Sequence, residues 1–352
     1  MLSVIVVVIV FSILIVVHEF GHFIMAKKCG VKVERFSLGF GPKIIGVKKG
    51  ETEYRISAIP LGGYVKMAGE TYQDKLTGER WEFLSRPPFE RFKIVICGPL
   101  LNYILGFLLF SLVFMLGSPT LTNKIGKVMD DYPAKAAGVK PGDSVISIDG
   151  ERVQYWDELT RIIRKKLKGN VKLVVLRDDR ELMLTLTPKV KEFKDIFGKD
   201  VKIAMVGIAS SDELIFIKHN PARSIYKGFK KTIELTTLTF KAIWSLILGR
   251  LSLRESVTGP VGIFILTAKA AKLGLIYLLN MMAIISTSLA IVNILPIPVL
   301  DGGHLVFLLI EKMRRRPLSQ KIQETATQIG LGLLLILMFF VFYYDIARFF
   351  GR

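Results

Sequence analysis

The sequence predicts a polytopic α-helical membrane protein with about four transmembrane helices, a membrane-associated β-hairpin sheet and one extracytoplasmic α+β domain. Hydrophobic residues make up 51% of the 352 residues, and the mean hydropathy is positive, which favours a membrane protein over a soluble one. Four apolar stretches approach the length of about 20 residues that crosses a bilayer. A segment of ordinary soluble composition lies between the second and the third stretch.

The first predicted span covers residues 1–26 and is apolar between residues 2 and 17 apart from two serines. It lacks the charged start and the small-residue cleavage site of a signal peptide, so we expect a retained helix. His18 and His22 near its end are four residues apart and share one helix face, where two neutral imidazoles can bind Zn²⁺. Glu19 lies beside them and is placed to accept a proton from water. Ionisable residues are costly in a membrane and are usually functional there; the alternative is a polar helix end without metal.

Residues 27–92 are predicted to form a β-rich, membrane-associated loop. Residues 34–38, 54–58 and 64–67 alternate as strands do, and glycines separate them. A small sheet directly after the metal-binding helix can present an open edge, with which an extended peptide can pair. The alternative is a surface hairpin without a role.

Residues 93–117 form the second predicted span, and residues 118–190 the soluble domain. The order of strands and short helices in this domain, with the turn from Ala136 to Asp143, resembles a bacterial PDZ domain. The resemblance implies a peptide-binding groove beside the short helix, at Ala136, Ala137, Gly138 and Val139. Residues 191–274 are predicted to be a linker followed by an amphipathic helix at residues 224–248, which we expect at the membrane surface.

The third predicted span, residues 275–312, is interrupted by Pro296 and Pro298, so its apolar part should end in extended chain. Asp301 follows these prolines and is the best candidate for the third protein ligand that a catalytic zinc site needs. Irregular backbone at membrane depth is tolerated where it lines a cavity. His304 is the competing third ligand, and Asp301 has the alternative role of capping the next helix.

Basic residues set the predicted orientation. They are dense in residues 27–92 and in the connection 313–327 that leads to the fourth span, residues 328–350. The positive-inside rule therefore places both connections in the cytoplasm, and residues 118–274 and both termini outside. The net charge of +19 fits anionic lipid headgroups, and no nucleic-acid-binding signature accompanies it. Two cysteines are too few for a disulfide framework.

Four motifs, taken in chain order, resemble the site-2 protease family of intramembrane zinc metalloproteases, in its bacterial branch of regulators of sigma-E. They are His18-Glu19-Phe20-Gly21-His22, Gly98-Pro99-Leu100-Leu101-Asn102, Gly259-Pro260-Val261-Gly262-Ile263 and the stretch from Asn293 to His304. The resemblance implies one Zn²⁺ on His18, His22 and Asp301, with Glu19 as catalytic base. It also implies that the sheet, at Tyr64, Val65, Lys66 and Met67, and Asn293 bind an unwound substrate strand. Well-known members of this branch carry two PDZ domains in tandem, whereas one such domain is predicted here.

We therefore expect a multi-pass zinc endopeptidase of the bacterial inner membrane that makes the second cut in regulated intramembrane proteolysis. Its expected partners are the lipid bilayer and transmembrane substrates already cut by a site-1-type protease, such as an anti-sigma factor or a remnant signal peptide. A scaffold or receptor that acts through the PDZ domain, with a structural metal closed by a fourth ligand, is the alternative from another class. A metal transporter would need ligands along a path, and the sequence offers one cluster.

Overall fold

The computed structural model describes residues 2–71, 76–195, 197–252 and 257–350. The chain divides into two compact units. The first contains Met1–Val113, Pro221–Phe240 and Ser252–Arg352, and the second contains Phe114–Asn220 and Lys241–Leu251.

The helices of the described residues are α1 (Leu2–Lys28), α2 (Pro88–Leu116), α3 (Pro133–Ala136), α4 (Trp156–Lys165), α5 (Pro221–Ile247), α6 (Pro260–Leu273), α7 (Leu275–Ile294), α8 (Asp301–Arg314) and α9 (Gln320–Phe350). The strands are β1 (Val33–Lys49), β2 (Thr52–Met67), β3 (Ser118–Leu121), β4 (Ile125–Val128), β5 (Ser144–Ile148), β6 (Glu151–Arg152), β7 (Val171–Arg177), β8 (Arg180–Leu186), β9 (Lys189–Lys194), β10 (Asp200–Met205), β11 (Ile208–Ser210) and β12 (Leu214–Ile217).

Four helices, α1, α2, α7 and α9, are long and apolar enough to cross a membrane, which confirms the predicted number of candidate spans in the described residues. Both α2 and α9 begin earlier than their apolar stretches, because polar turns from Pro88 and from Gln320 continue the same helices. Helix α7 ends at Ile294, just before the prolines, as predicted. Large apolar side chains stay exposed along α9, as a lipid-facing surface requires.

Three of the candidate spans pack together around a buried cluster. Val10 and Leu14 of α1, Leu109 and Phe110 of α2, and Met282 and Ala283 of α7 form it. Leu14 and Ala283 are fully buried. This packing fixes α1 against α2, which matters for the polar residues further along both helices.

Helix α6, inside the segment predicted as a linker, begins at a buried carboxylate. Asp345 of α9 is 1% exposed and accepts the N–H groups of Gly259 at 3.1 Å and Gly262 at 2.8 Å. A carboxylate at a helix N-terminus satisfies N–H groups that have no partner inside the helix and interacts favourably with the helix dipole. Asp345 therefore ties α6 to the last helix.

The predicted amphipathic helix is present as α5, and its part within the first unit contacts α2. The Thr236 hydroxyl lies 2.9 Å from the Tyr103 hydroxyl of α2. Gly228 lies directly against Ser111 of α2, since a Cβ there would be 2.2 Å from the serine hydroxyl. These contacts involve residues inside the candidate span of α2. The location of α5 at the membrane surface stays a prediction.

Strands β1 and β2 form one antiparallel sheet in which both strands bend back. Residues 33–38 of β1 pair on one side with residues 63–67 of β2, and on the other side with residues 53–56. The later part of β1 pairs with residues 52–57. Residues 63–67 therefore form an outer edge of the sheet, and the three predicted strands belong to it.

The sheet is attached to the helices through its first strand and its outer edge. Val33 of β1 and Val65 and Met67 of β2 are buried together with Ala26 of α1 and Ile94 of α2. The outer edge of the sheet consequently lies beside the final turns of α1, which carry the predicted metal ligands.

The second unit, described by itself, is an α+β domain. Its largest sheet has the order β6-β5-β7-β8, and its core includes Val145, Leu159 and Leu173. Strand β11 pairs with β4, and β12 pairs with β3. The unit therefore extends past the boundary predicted at residue 190, because strands in residues 191–217 complete pairs with earlier ones.

A buried ion pair joins two parts of the second unit. The Arg177 guanidinium donates from Nε and Nη2 to the Asp143 carboxylate, both at 2.7 Å, and the Lys140 N–H donates to the same group at 2.8 Å. Burial by itself would raise the pKa of Asp143, but the hydrogen bonds from Arg177 and Lys140 hold it below its ordinary value of 3.8. The stabilisation from Asp143 is therefore fully present above pH 3.8 and is lost as the pH falls further.

We expect Asp143→Asn to destabilise the second unit by about 3 kcal/mol, because it breaks a bidentate pair whose carboxylate is buried. Hydrogen exchange of the β5 and β7 amides measures this change. As the pH falls below 3.8, the ordinary pKa of the Asp143 carboxyl, the β5 and β7 amides of the wild type should lose protection from exchange. The same amides of the variant should lose less protection. Asp130→Asn, which breaks an exposed pair with Lys135, is the control and should change nothing measurable. Equal protection in Asp143→Asn and the wild type would contradict the assignment.

Candidate metal centre

The end of α1 carries two buried histidines, and the second of them, His22, lies against α2. His18 and His22 are each 9% exposed and lie one turn apart on one face of the helix. Gly21, between them, allows the close approach of α2, since a Cβ there would lie 2.3 Å from the Cys97 carbonyl oxygen. The glycine is therefore needed where the two helices touch.

Asp301 reaches the same place from a broken helix. The chain leaves α7 at Ile294, passes the two prolines and starts α8 at Asp301. Gly302 and Gly303 let this first turn pack back on the break, because a Cβ on either would lie within 2.4 Å of a carbonyl oxygen of residues 294–297. The N-cap position belongs to Leu300, so the capping role considered for Asp301 is wrong.

The three side chains bring their ligand atoms together. His18 Nε2 lies 3.2 Å from His22 Nε2 and 3.1 Å from Asp301 Oδ2. His22 Nε2 lies 3.6 Å from Asp301 Oδ1. Ligands bound at 2.0–2.1 Å in a tetrahedral zinc site are separated by about 3.3 Å. The three residues therefore fit a zinc ion. Among the described residues, they form the one group of three or more His, Cys, Asp or Glu side chains that could hold a metal ion together.

The α2 backbone orients His22. Its Nδ1 lies 2.9 Å from the Ile94 carbonyl oxygen, to which a ring nitrogen can only donate, so Nε2 of the neutral ring keeps its lone pair for a metal. The ring sits on Gly98, where a Cβ would lie 2.3 Å from His22 Nε2. Only glycine leaves room for the imidazole at this position.

Glu19 faces the outer edge of the sheet. Its Oε2 accepts the backbone N–H of Val65 at 3.1 Å, and its Cγ lies close to Gly63. The carboxylate is thereby held between the metal ligands on its own helix and a strand edge. This is the arrangement that a proton acceptor beside an extended peptide would need.

A cavity of about 690 Å³ opens at these residues. It is lined by the metal-site residues His18, Glu19, His22 and Asp301; by Tyr64, Val65 and Met67 of β2; by Glu70, Thr71, Phe83 and Leu84; by Arg91 and Val95 of α2; by His304, Phe307, Leu308 and Glu311 of α8; and by Gln323, Glu324, Thr327 and Gln328 of α9. Arg91 and Glu311 form a mostly buried ion pair in its wall. The cavity thus connects the metal ligands, the strand edge and the start of the last helix.

Not every predicted residue joins this site. His304 lines the cavity but is outside the ligand group in the described residues. Asn293 is half-buried in the last turn of α7 and is not part of the cavity lining. Lys66 alternates with Val65 along β2 and pairs with Glu34.

The proposed groove residues lie in the second unit. Ala136 is exposed and lines a shallow cavity beside Tyr132 and Lys135. Gly138 has a positive φ of 83°. Val139 is buried in the core of the unit, so its side chain is not available to a peptide, and Ala137 packs against the same core.

Sequence reasoning missed the residues that support the ligands from α2. In the sequence, Gly98 stands out only as part of a motif, and the Ile94 carbonyl has no side-chain signal because it belongs to the main chain. The pair Arg91–Glu311 and the polar start of α9 were also missed, since no local pattern joins residues so far apart in the chain. The one local signal for a close contact on α2 is Gly98 followed by Pro99 inside an apolar span.

The sequence profile of peptidase family M50 matches residues 6–337 of the chain. A relative from Mesorhizobium japonicum is 34% identical, with 96% of each chain covered. One from Clostridium perfringens is 36% identical, again with 96% of each covered. The names of both mark them as candidate zinc metalloproteases. The zinc metalloprotease RasP of Geobacillus kaustophilus is 31% identical, over 99% of this chain and 98% of its own.

We expect Gly98→Ala to lower the zinc content of the purified protein by about tenfold or more, because the methyl group would occupy the place of the His22 ring. Metal analysis after dialysis measures the change. Gly332→Ala is the matched control in another candidate span, since nothing lies within 4 Å of a Cβ there. Full zinc content in Gly98→Ala would show that His22 does not bind metal in this orientation.

Proposed function

The chain belongs to peptidase family M50, a family of zinc metalloproteases, and on that premise we propose that it hydrolyses peptide bonds in or near the transmembrane segments of other proteins. The observation that supports this proposal is the meeting of His18, His22 and Asp301 with Glu19 at the open edge of a sheet. His18, Glu19 and His22 belong to the candidate span α1, and Asp301 begins α8 directly after the break that ends the candidate span α7. A soluble substrate would not need a site built from such elements.

Each ligand and Glu19 has a defined role in the proposed reaction. When bound by His18, His22 and Asp301, Zn²⁺ supplies a Lewis acid that activates water near neutral pH and polarises a carbonyl. Glu19 accepts the proton as water attacks the peptide carbonyl, and then donates it to the leaving amine. His304 in the cavity wall and Asn293 are the candidate donors to the developing oxyanion.

The strand edge at residues 64–67 is the proposed docking place for the substrate. The N–H groups of Val65 and Met67 point away from β1, toward Glu19 and Glu70. An extended peptide that pairs with this outer edge would pass directly beside Glu19. A helical substrate hides its carbonyl groups in hydrogen bonds, so it must unwind before cleavage, and pairing with the edge offsets part of that cost. We propose Asn293 as a further contact for the unwound strand.

The apolar helices and the family indicate a protein of the bacterial inner membrane. We propose that the metal ligands lie toward the cytoplasmic end of α1, since the basic connections favour the cytoplasm. The second unit and both termini would then lie outside. The basic and apolar α5 would follow the outer surface from its contact with α2.

We propose that the second unit is a PDZ-like domain that limits access to the membrane site. Substrates would be transmembrane proteins already trimmed on the outer side by a site-1-type protease. An anti-sigma factor or a remnant signal peptide has the required form. One such unit, rather than a tandem pair, would act as the barrier.

A scaffold with a structural metal is the weaker alternative. A structural zinc site is closed by four protein ligands. In the described residues the ligand group contains three, and His304 stays outside it. Three ligands leave one position for water or substrate, which favours a catalytic site.

We expect Glu19→Gln to abolish cleavage of a model transmembrane peptide and to keep zinc at wild-type content. The amide cannot accept the proton, whereas the three ligands are untouched. Reconstituted protein and fluorescent peptide would give the rate, which should fall by about 100-fold or more. Glu324→Gln, a change of the same kind at an exposed residue of the same cavity, should cleave normally. Substantial cleavage by Glu19→Gln would exclude Glu19 as the base.

We also expect cleavage to depend on the outer part of the substrate. Substrates that share one transmembrane segment but carry outer domains of increasing size should be cut more slowly as the size grows. Replacing residues 118–217 with a short flexible linker should remove this dependence, provided that the variant still cuts the shortest substrate. If the size dependence is the same without these residues, the second unit is not the barrier.

A further inference from the structure

Two buried polar groups, one on α1 and one on α2, have no hydrogen-bond partner within the described part of the chain. They are the Nδ1 atom of His18 and the side-chain amide of Asn102, of which both the oxygen and the nitrogen lack a hydrogen bond. Asn102 is 0% exposed and lies in the candidate span α2. A buried polar group without a partner is costly, and more so where no water can reach it. We therefore asked whether the His18 Nδ1 atom and the Asn102 amide can be each other's partner.

The register in which α1 packs against α2 places His18 and Asn102 at about the same height along the two helices. His22 contacts Ile94 and Gly98 of α2, and Leu14 packs in one cluster with Leu109. His18 lies on α1 one turn from His22 and one turn from Leu14. Asn102 lies on α2 one turn beyond Gly98, on the same face. His18 therefore lies between the His22 contact and the buried cluster on α1, and Asn102 lies between the same two places on α2, one turn from Gly98 and about two turns from Leu109.

The chemistry of the two groups is complementary. A histidine that binds metal through Nε2 carries its proton on Nδ1 and almost always donates it to an oxygen. His22 has such an oxygen in the Ile94 carbonyl. His18 has none, while the amide oxygen of Asn102 is an acceptor without a donor.

The hydrogen bond between α2 and α7 at this position does not explain why residue 102 carries an amide side chain. Ser286 of α7 donates to the main-chain oxygen of Asn102 at 2.8 Å, and this bond leaves the amide group unused. A role in helix packing alone would have been served as well by an apolar side chain of similar size.

We propose that Asn102 is a positioning residue of the metal site, whose Oδ1 accepts the Nδ1–H of His18 when zinc is bound. The bond fixes the tautomer and the ring plane of His18, so that Nε2 is presented to the metal. This inference rests on the assignment of His18 as a ligand in the proposed function. A neutral amide serves the purpose without adding a second buried charge to a membrane helix.

The test compares Asn102→Leu with Asn102→Asp in the full-length protein in detergent. Zinc affinity is measured by competition with a chelator, and the stability of the metal-free form by thermal unfolding. Asn102→Leu should bind zinc about 10–100-fold more weakly, while the metal-free form should be at least as stable as the wild type, because two unpaired polar atoms are gone. Asn102→Asp keeps an acceptor and should bind zinc within a few fold of the wild type.

Two controls separate this inference from the proposals on which it depends. Ser286→Ala removes the neighbouring buried hydroxyl and should leave zinc affinity unchanged. His18→Ala should lose zinc; if it does not, His18 is no ligand and the proposed site itself fails. If His18→Ala loses zinc but Asn102→Leu binds it as the wild type does, only the role of Asn102 is overturned. Equal weakening in Asn102→Leu and Asn102→Asp would also overturn it, since both would then act through packing.

Discussion

The close contact of α1 with α2 at Gly21 and Gly98 supports the whole site. Because neither residue has a side chain, the two helices approach until the His22 ring rests on the α2 backbone and its Nδ1 reaches the Ile94 carbonyl. The same contact sets the level of His18 and anchors the sheet, whose buried residues share a cluster with Ile94. A wider separation of α1 and α2 would disturb the histidines and the strand edge together.

The bilayer imposes the second constraint, since polar atoms at its depth must find partners within the protein. The structure meets this demand by joining segments that are distant in sequence. Asp345 takes up the free N–H groups at the start of α6, Arg91 pairs with Glu311, and Asp301 lies against two histidines. Each polar contact also fixes one helix against another, so that the metal site and the fold are stabilised by the same kind of interaction.

The sequence was sufficient for the elements whose signals are local. Apolar length gave the four candidate spans, spacing gave the histidine pair, and the prolines gave the break that frees Asp301. It was insufficient where the outcome depends on packing between distant segments, as with the Ile94 carbonyl, the start of α6 at Asp345, and the pairing of β11 and β12 with early strands. The bend of β1 and β2 into one sheet with a free edge at Val65 depends equally on such packing.

Zinc X-ray absorption spectroscopy of the purified protein tests most directly whether His18, His22 and Asp301 bind the metal together. We expect one zinc per chain with two imidazole nitrogens and oxygen ligands at about 2.0 Å, and a spectrum that changes when Asp301 is replaced by Ala. A third imidazole in the ligand shell, or a spectrum that is identical in Asp301→Ala, would contradict it. Either result would mean that the broken helix does not complete the site begun on α1.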